Sequence, residues 1–383
     1  MLCGNTVTMN RLIIIGNGFD LAHGIKTSYH DFILDYLKRC LIICSESGRF
    51  NISGPDFQTI SGYFKDDLVD IRLKTKYTNV NYVDKIKEFK TIKELVDFCK
   101  TYEFNFTHSF ELLQNTINEY CNLNWVDLED KYFDLLVKYS DRLSKSYSIE
   151  KIKLINEKFE ILKQLLQEYL ITQQLQFSNL SDREPLINCF CEKIYKHELV
   201  TVALEESILP ENLYFLNFNY TNTFEDYYRY CKKIIPSDFN YIHGNLHGVH
   251  GSAIFGFGDE LDKRYLGFED EKNNELFKHI KSFEYLKTKN YYLLTRFIEA
   301  KDFQVHIYGH SCGISDRTML NQIFEHENCK SIKIFYHKKA DGSNDYTEKT
   351  YEISRHFKDK GMMRKKIAPF DLSKEMPQPD RLQ

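Results

Sequence analysis

Residues 11–20, with the sequence Arg-Leu-Ile-Ile-Ile-Gly-Asn-Gly-Phe-Asp, decide the fold of this chain. Leu12 to Ile15 is an unbroken apolar run, which is typical of a strand buried on both faces of a parallel sheet. Gly16 and Gly18 allow a tight turn and the close approach of a phosphate, and the helix that follows offers free N–H groups. The stretch therefore predicts the first strand, glycine turn and helix start of a nucleotide-binding α/β domain.

The glycine turn has two interpretations. It lacks the third glycine of the dinucleotide fingerprint, and a plain strand-to-helix turn also uses glycine freely. We adopt the nucleotide-binding interpretation because polar segments follow other predicted strands in the same way. The residues expected to contact the ligand in this turn are Gly16, Asn17, Gly18 and Phe19.

The alternation of strands and helices resumes in the second half of the chain. Strands are predicted at 213–216, 241–242, 253–255, 304–308 and 331–336, and helices at 29–44, 222–231, 316–324 and 347–360, with two more between 270 and 299. Strands that alternate with helices predict a parallel sheet covered by helices on both faces.

A long segment separates the first turn from these later strands. Residues 45–62 are predicted to be a loop, and the following block to 205 is predicted to be mostly helical. At 150–172, Ile155, Phe159 and Leu162 share one helix face, which favours packing in a bundle over a dimerisation helix. We therefore predict a discontinuous α/β domain (9–45 and 206–360), a mainly α-helical insertion (46–205) and a C-terminal tail (361–383) that is extended or loose from about residue 366.

The composition argues against several classes of function. The net charge of −4 gives no general attraction to nucleic acids or anionic membranes. No apolar run approaches the roughly 20 residues of a membrane span. The ten cysteines form no paired Cys-x-x-Cys knuckles, and scattered thiols are typical of a reducing compartment. We expect a cytoplasmic protein with no membrane contact, no direct nucleic-acid binding and no bound metal.

The segment 217–222, Asn-Phe-Asn-Tyr-Thr-Asn, follows the predicted strand at 213–216. Ligands of open parallel sheets bind at the carboxyl ends of the strands, where such a polar cluster lies. Asn219 is the functional candidate because its amide could hold a ribose hydroxyl or an attacking water. Thr221 or Asn222 is expected instead to cap the next helix.

A histidine follows the next short strand. His243, with Gly244 directly after it, is placed to face the same edge of the sheet. Histidine is the usual general base near neutral pH, which makes His243 the candidate for proton transfer. The alternative is a structural histidine with satisfied hydrogen bonds.

The segment after the predicted strand at 304–308 supplies the last set of candidates. Glycine, a hydroxyl residue and a carboxylate at a helix start suit contacts with ligand hydroxyls and phosphates. Ser315 or Asp316 could also serve only to cap the helix. The candidates here are Gly309, His310, Ser311 and Asp316.

In their order along the chain, these segments resemble the abortive-infection AbiH family of bacterial antiphage proteins. The resemblance covers roughly residues 9–340. The segments that carry it are 15–24, 27–29, 125–129, 217–225, 242–244 and 309–311.

More distantly, the pattern resembles sirtuin-like NAD-binding domains, with their Gly-Ala-Gly, Asn-Tyr-Asp, His-Gly and Gly-x-Ser segments. This resemblance implies a Rossmann-type sheet with the pyrophosphate of NAD at Gly16 and Gly18. It also implies that Asn219 lies near the nicotinamide ribose and that His243 is the catalytic histidine.

The same resemblance places Gly309, Ser311 and Asp316 near the adenosine ribose. Asp20 stands where the family usually has serine, and Thr221 stands where it has aspartate. The chain also lacks the zinc module of sirtuin deacetylases, so protein deacetylation is not expected.

Two functions follow from the resemblance. In the first, the chain is an NAD glycohydrolase of phage defence: Asn219 orients the ribose or water, His243 accepts a proton and Asp20 stabilises an oxocarbenium-like cation. In the second, the domain only senses NAD, ADP-ribose or another nucleotide, and the insertion engages a phage or host protein. The replacement of aspartate by Thr221 favours the second function. A homo-oligomer is compatible with either.

Overall fold

The computed structural model describes residues 7–52, 58–77, 79–108, 110–118, 125–140, 145–176 and 182–379. The chain divides into two compact units. The first unit is Met1–Lys26, Leu170–Lys272 and His279–Gln383, and the second is Thr27–Tyr169 and Asn273–Lys278.

The strands of the described residues are numbered in chain order. They are β1 (Asn10–Ile15), β2 (Arg49–Ile52), β3 (Gln58–Lys65), β4 (Val69–Thr75), β5 (Phe104–His108), β6 (Ile194–Tyr195), β7 (Ser207–Ile208), β8 (Leu213–Asn217), β9 (Ser237–Tyr241), β10 (Phe303–Tyr308), β11 (Cys329–Tyr336) and β12 (Lys374–Glu375).

The α-helices of the described residues are numbered in the same way. They are α1 (Asn17–Ala22), α2 (Tyr29–Glu46), α3 (Tyr82–Glu88), α4 (Ile92–Thr101), α5 (Glu111–Asn118), α6 (Trp125–Ser140), α7 (Lys145–Gln176), α8 (Glu184–Phe190), α9 (Glu225–Cys231), α10 (Lys263–Asp270), α11 (Lys281–Tyr285), α12 (Asn290–Ala300), α13 (Arg317–Glu325), α14 (Tyr346–Ser354) and α15 (Lys360–Lys366). None of these described helices is both long enough and apolar enough to span a membrane.

The first unit is built on a six-stranded parallel sheet in the order β12-β11-β10-β1-β8-β9. Counted along the chain from β1 and read from the β9 edge, the order is 3-2-1-4-5-6. The connections therefore run outward in opposite directions from β1 and β10. In open parallel sheets, a crevice for ligands forms at the carboxyl ends of the strands at such a reversal point.

Both faces of this sheet are covered, as the apolar run of β1 predicts. On one face Leu12 and Ile14 pack into a core that includes residues of α12, α13 and α14. On the other face Ile13 and Ile15 pack into a core that includes residues of α1, α8 and α9. The prediction of an α/β fold with a parallel sheet is confirmed.

A buried ionic network lies at the opposite end of the sheet from the carboxyl edge. The Arg11 guanidinium, fully buried, donates to the side chain of Gln304 and to the carbonyl oxygens of Phe190 and Glu192. Lys333 on β11 pairs with the carboxylate of Glu192 at 2.7 Å. Each buried cation here therefore has hydrogen-bond acceptors or an opposite charge beside it, which is how proteins tolerate buried ions.

The second unit contains an antiparallel sheet that our sequence analysis missed. Its order is β2-β3-β4-β5, and α2 packs against β3 and β4. The prediction of a loop at 45–62 is therefore wrong, whereas the block after it is mostly helical as predicted, although it also contains β4 and β5. In β4, buried Val69, Ile71 and Leu73 surround exposed Arg72, a period of two that is typical of a half-buried strand. The helix predicted at 150–172 is confirmed and is longer, as α7.

One further prediction for the first unit is wrong. Residues 253–255, predicted to be a strand, are a buried loop, and the Ile254 amide bonds to the carbonyl oxygen of His243. The tail, predicted to be extended or loose from about residue 366, contains the extended edge strand β12. Met376 enters the core directly after this strand.

Candidate functional site at the carboxyl edge of the parallel sheet

The glycine turn after β1 packs against the loop after β10, backbone to backbone. The Gly18 amide donates to the carbonyl oxygen of Gly309 at 2.8 Å. A Cβ atom on Gly16 would lie 2.4 Å from Cα of His310, which is closer than real Cβ contacts. Gly309 has a φ of +67°, and a Cβ there would lie 2.1 Å from the amide nitrogen of Phe19. These glycines therefore let the two loops at the reversal point approach each other.

The predicted ligand contacts within this turn differ in exposure. Asn17 and Gly18 are half-buried at the surface of the turn. The side chain of Phe19 is in the core, edge-on to Tyr227 with ring centroids 5.6 Å apart. Phe19 could therefore reach a ligand only through its backbone.

The loop after β8 is organised by an asparagine that our sequence analysis did not single out. The side chain of Asn217 accepts from the Asn219 amide at 3.1 Å and donates to the carbonyl of Thr221 at 3.1 Å. The side-chain nitrogen of Asn219 donates to the carbonyl oxygen of Gly16 at 3.0 Å. Asn219 therefore lies at the predicted edge and ties this loop to the glycine turn.

Asp20 forms a buried pair with a residue of the same loop. The Thr221 hydroxyl donates to a carboxylate oxygen of Asp20 at 2.5 Å. Burial raises the pKa of Asp20 to about 6, although the hydrogen bond from Thr221 acts in the opposite direction. The expectation that Thr221 or Asn222 caps the next helix is wrong, because α9 begins at Glu225 and has no side-chain cap.

We expect the Asp20→Asn variant to change how stability depends on pH. A raised pKa means that folded wild-type protein binds more protons than unfolded protein between about pH 4 and 6. Its free energy of unfolding therefore falls as the pH rises through this window, by about 3 kcal/mol for a shift of about two pKa units. In the variant this loss should disappear.

The measurement is urea unfolding of both proteins at pH 4 and pH 7. Asp238→Asn is the matched control, because Asp238 is exposed in the same unit. A pH dependence of Asp20→Asn equal to that of wild type would contradict a buried carboxyl with a raised pKa.

His243 lies just after β9, buried at the same edge. Gly244 has a φ of +71°, and a Cβ on it would meet the Ser252 carbonyl at 2.2 Å, so this turn requires glycine. The His243 Nε2 atom lies 3.2 Å from a carboxylate oxygen of Asp316 and 3.0 Å from the Tyr285 hydroxyl. The histidine is therefore held by two polar partners within the protein.

Asp316 is the centre of the buried cluster. The Lys281 ammonium lies 2.8 Å from one of its carboxylate oxygens, and His310 Nε2 lies 3.7 Å from the other. Burial alone would raise the pKa of Asp316, but Lys281 and the two histidines lower it well below its usual range. The alternative that Ser315 or Asp316 only caps a helix is wrong, because α13 has no side-chain cap.

His310 and Ser311 differ although they are neighbours. His310 is buried, its Nδ1 accepts from the Cys312 amide at 3.0 Å and its ring packs edge-on against Phe218. Burial lowers the pKa of His310 to about 3, so its ring is neutral near pH 7. Ser311 is exposed. Within the described chain, no three His, Cys, Asp or Glu side chains are grouped to hold a metal ion.

Lys281 and Tyr285 both touch the predicted site, but neither was predicted from the sequence. They lie at the two ends of α11, in a segment for which only helices were predicted. Lys281 contacts Asp316, which is 35 residues away in the chain, so no local pattern of the sequence signals this contact.

A cavity of about 270 Å³ opens beside this cluster. Its walls include Tyr285 and Asp316 together with Tyr291 and Phe283. We call it the aromatic cavity.

Fold and site together define an α/β protein with a buried carboxylate, lysine and histidine cluster at the carboxyl edge of a parallel sheet. The chain belongs to the bacteriophage abortive infection AbiH family, whose family model matches residues 12–338. The predicted resemblance to the AbiH family is confirmed, and membership implies a role in phage abortive infection. No curated protein and no solved structure matches the chain.

Proposed function

We propose that this protein hydrolyses NAD to nicotinamide and ADP-ribose at the carboxyl edge of its parallel sheet. The observation that carries the proposal is the strand order 3-2-1-4-5-6, which is that of Rossmann dinucleotide-binding sheets. The predicted site segments leave β1, β8, β9 and β10, the four strands around and beside the reversal point. A sirtuin-like NAD-binding core would have its ligand at this place.

In this proposal the pyrophosphate of NAD lies at the glycine turn. Asn17 and Gly18 are the half-buried residues of that turn and form the proposed contact. Exposed Ser311 is the proposed contact of the adenosine ribose. Asp316 is too closely held by Lys281 and His243 to serve that ribose, so we assign it to the catalytic histidine instead.

The proposed chemistry is the attack of water on the anomeric carbon of the nicotinamide ribose. The bond from this carbon to the nicotinamide nitrogen breaks, and its electron pair leaves with nicotinamide. In this proposal the Nε2–H group of His243 donates a hydrogen bond to Asp316. The Nδ1 atom then carries the lone pair that accepts a proton from the water. Asp316 thus orients the base, as a carboxylate does in other histidine-dependent sites.

Asp20 and Asn219 have supporting roles in this proposal. With a pKa of about 6, Asp20 is mostly ionised at pH 7.5, and its charge would stabilise the positive charge that develops on the ribose. Asn219 holds the Gly16 carbonyl and thereby the shape of the turn.

The test is product analysis with the full chain. Purified protein is incubated with NAD, alone and with extract of phage-infected cells, and nicotinamide and ADP-ribose are separated by chromatography. We expect equal amounts of both products in at least one condition. No nicotinamide release in either condition would contradict hydrolysis.

A second candidate function is a nucleotide sensor without turnover, whose partner is a phage or host protein. It is favoured by the side chains of Asn219 and Thr221, which are engaged with Gly16 and Asp20 rather than directed at a substrate. Tight binding of NAD or ADP-ribose in calorimetry, with NAD recovered unchanged, would support this function over hydrolysis.

A further inference from the structure

The aromatic cavity has the size and walls of a pocket for one planar ring. Its volume is about 270 Å³, and an apolar cavity of roughly 150 Å³ already accepts benzene. Tyr285 and Tyr291, both in its wall, have ring centroids 5.3 Å apart and an interplanar angle of 26°. Together with Phe283, these two stacked rings make the wall of the cavity largely aromatic.

This stack of rings continues towards the proposed catalytic histidine. The rings of His243 and Tyr285 are inclined by only 10°, with centroids 6.0 Å apart. A ring that enters the cavity beside Tyr285 would therefore lie one ring away from His243.

The charge of the cavity selects the kind of ring. Glu260 and Asp316 are its charged lining residues, and both are acidic. Lys281 pairs with Asp316 at 2.8 Å, so Glu260 is the lining carboxylate without this counter-charge. Aromatic walls with a carboxylate attract a cation, because ring faces carry negative charge density.

We propose that the aromatic cavity binds a planar, positively charged aromatic ring of the N-alkylpyridinium class. In one respect this inference rests on the proposed function: the ring is then the part of NAD that leaves as nicotinamide. The cavity assigns Tyr291 and Glu260 as the residues that select this ring. They are specificity residues, distinct from His243 and Asp316.

The test uses two probes of nearly the same size on the full chain. 1-Methylnicotinamide, methylated on its ring nitrogen, is a pyridinium cation without a ribose, and nicotinate is an anion with an unmethylated pyridine ring. In calorimetric titrations we expect the cation to bind at least about tenfold more tightly than the anion. Equal affinity for both, or tighter binding of nicotinate, would overturn the proposal.

Variants locate the binding in this cavity. Glu260→Gln should remove most of the preference for the cation, and Tyr291→Leu should weaken its binding about tenfold. Tyr292→Leu is the matched control, because Tyr292 is the exposed neighbour on the same helix. Since Glu260 is half-buried, its amide variant is expected to fold, and an unchanged preference in that variant would contradict the inference.

The two proposals fail in different ways. A chain that binds the pyridinium probe but never cleaves NAD retains the cavity assignment and contradicts hydrolysis. A chain that cleaves NAD but shows no preference for the cationic probe contradicts the cavity assignment alone.

Discussion

The His243→Asn variant is expected to lose NAD hydrolysis by about 10²–10⁴-fold, the usual contribution of a general base. Asparagine keeps much of the size and polarity of the side chain, but it cannot accept the proton of the attacking water. The Tyr285 hydroxyl and the Asp316 carboxylate would retain a polar neighbour, so the fold should persist. The measurement is the initial rate of nicotinamide release at saturating NAD.

The control for this variant is His247→Asn, which changes an exposed histidine in the same loop. It should release nicotinamide at the wild-type rate. Wild-type rates from His243→Asn would remove His243 from the mechanism.

The Lys281→Met variant is expected to lower the free energy of unfolding by about 3–5 kcal/mol, the usual cost of breaking a buried ion pair. Lys281 is buried at 2.8 Å from Asp316, so its loss leaves a carboxylate in the core without its nearest positive partner. Urea unfolding of the variant and of wild type at pH 7 measures the difference.

Two further variants separate the ion pair from general damage to the core. Lys287→Met removes an exposed lysine paired with Glu284 and should cost at most about 1 kcal/mol. Adding Asp316→Asn to Lys281→Met removes the uncompensated charge and should recover about half of the lost stability or more. A loss below about 1 kcal/mol in Lys281→Met would contradict the ionised pair.

The parallel sheet was predictable because its signals are local. Leu12 to Ile15 has no polar residue and is followed by glycine. The strands at 213–216, 304–308 and 331–336 are likewise each followed by glycine or a polar residue. The antiparallel sheet was missed although β4 alternates clearly, because lysine-rich flanking helices dominate that part of the sequence. An alternation of buried and exposed residues over only seven positions is a weak signal beside the longer helical patterns.

For the candidate site, the sequence could predict which segments lie close together, but it could not predict all the contacts between their side chains. We predicted His243, His310 and Asp316 at one edge of the sheet, because the carboxyl ends of parallel strands share that edge. In the structure, the two histidines lie 3.2 Å and 3.7 Å from the Asp316 carboxylate. Lys281 and Tyr285 could not be predicted, since a contact 35 or more residues away in the chain leaves no local pattern. The roles of these residues in binding NAD stay predictions.

Arg11 illustrates a different limit. In the sequence it looks like a polar residue before a buried strand, yet it is fully buried within β1. Its partners, Gln304 and the Phe190 carbonyl, come from distant segments. The strand could be predicted from its apolar residues. The hydrogen bonds that hold the buried guanidinium of Arg11 could not be predicted.

The central claim is that NAD binds across the carboxyl edge of this sheet with its ribose at His243. The most direct measurement is a crystal structure of the His243→Asn variant grown with NAD, because slow turnover should preserve the bound substrate. We predict the pyrophosphate at Asn17 and Gly18 and the nicotinamide ribose beside position 243. NAD bound elsewhere, or no NAD at this edge at saturating concentration, would contradict the account.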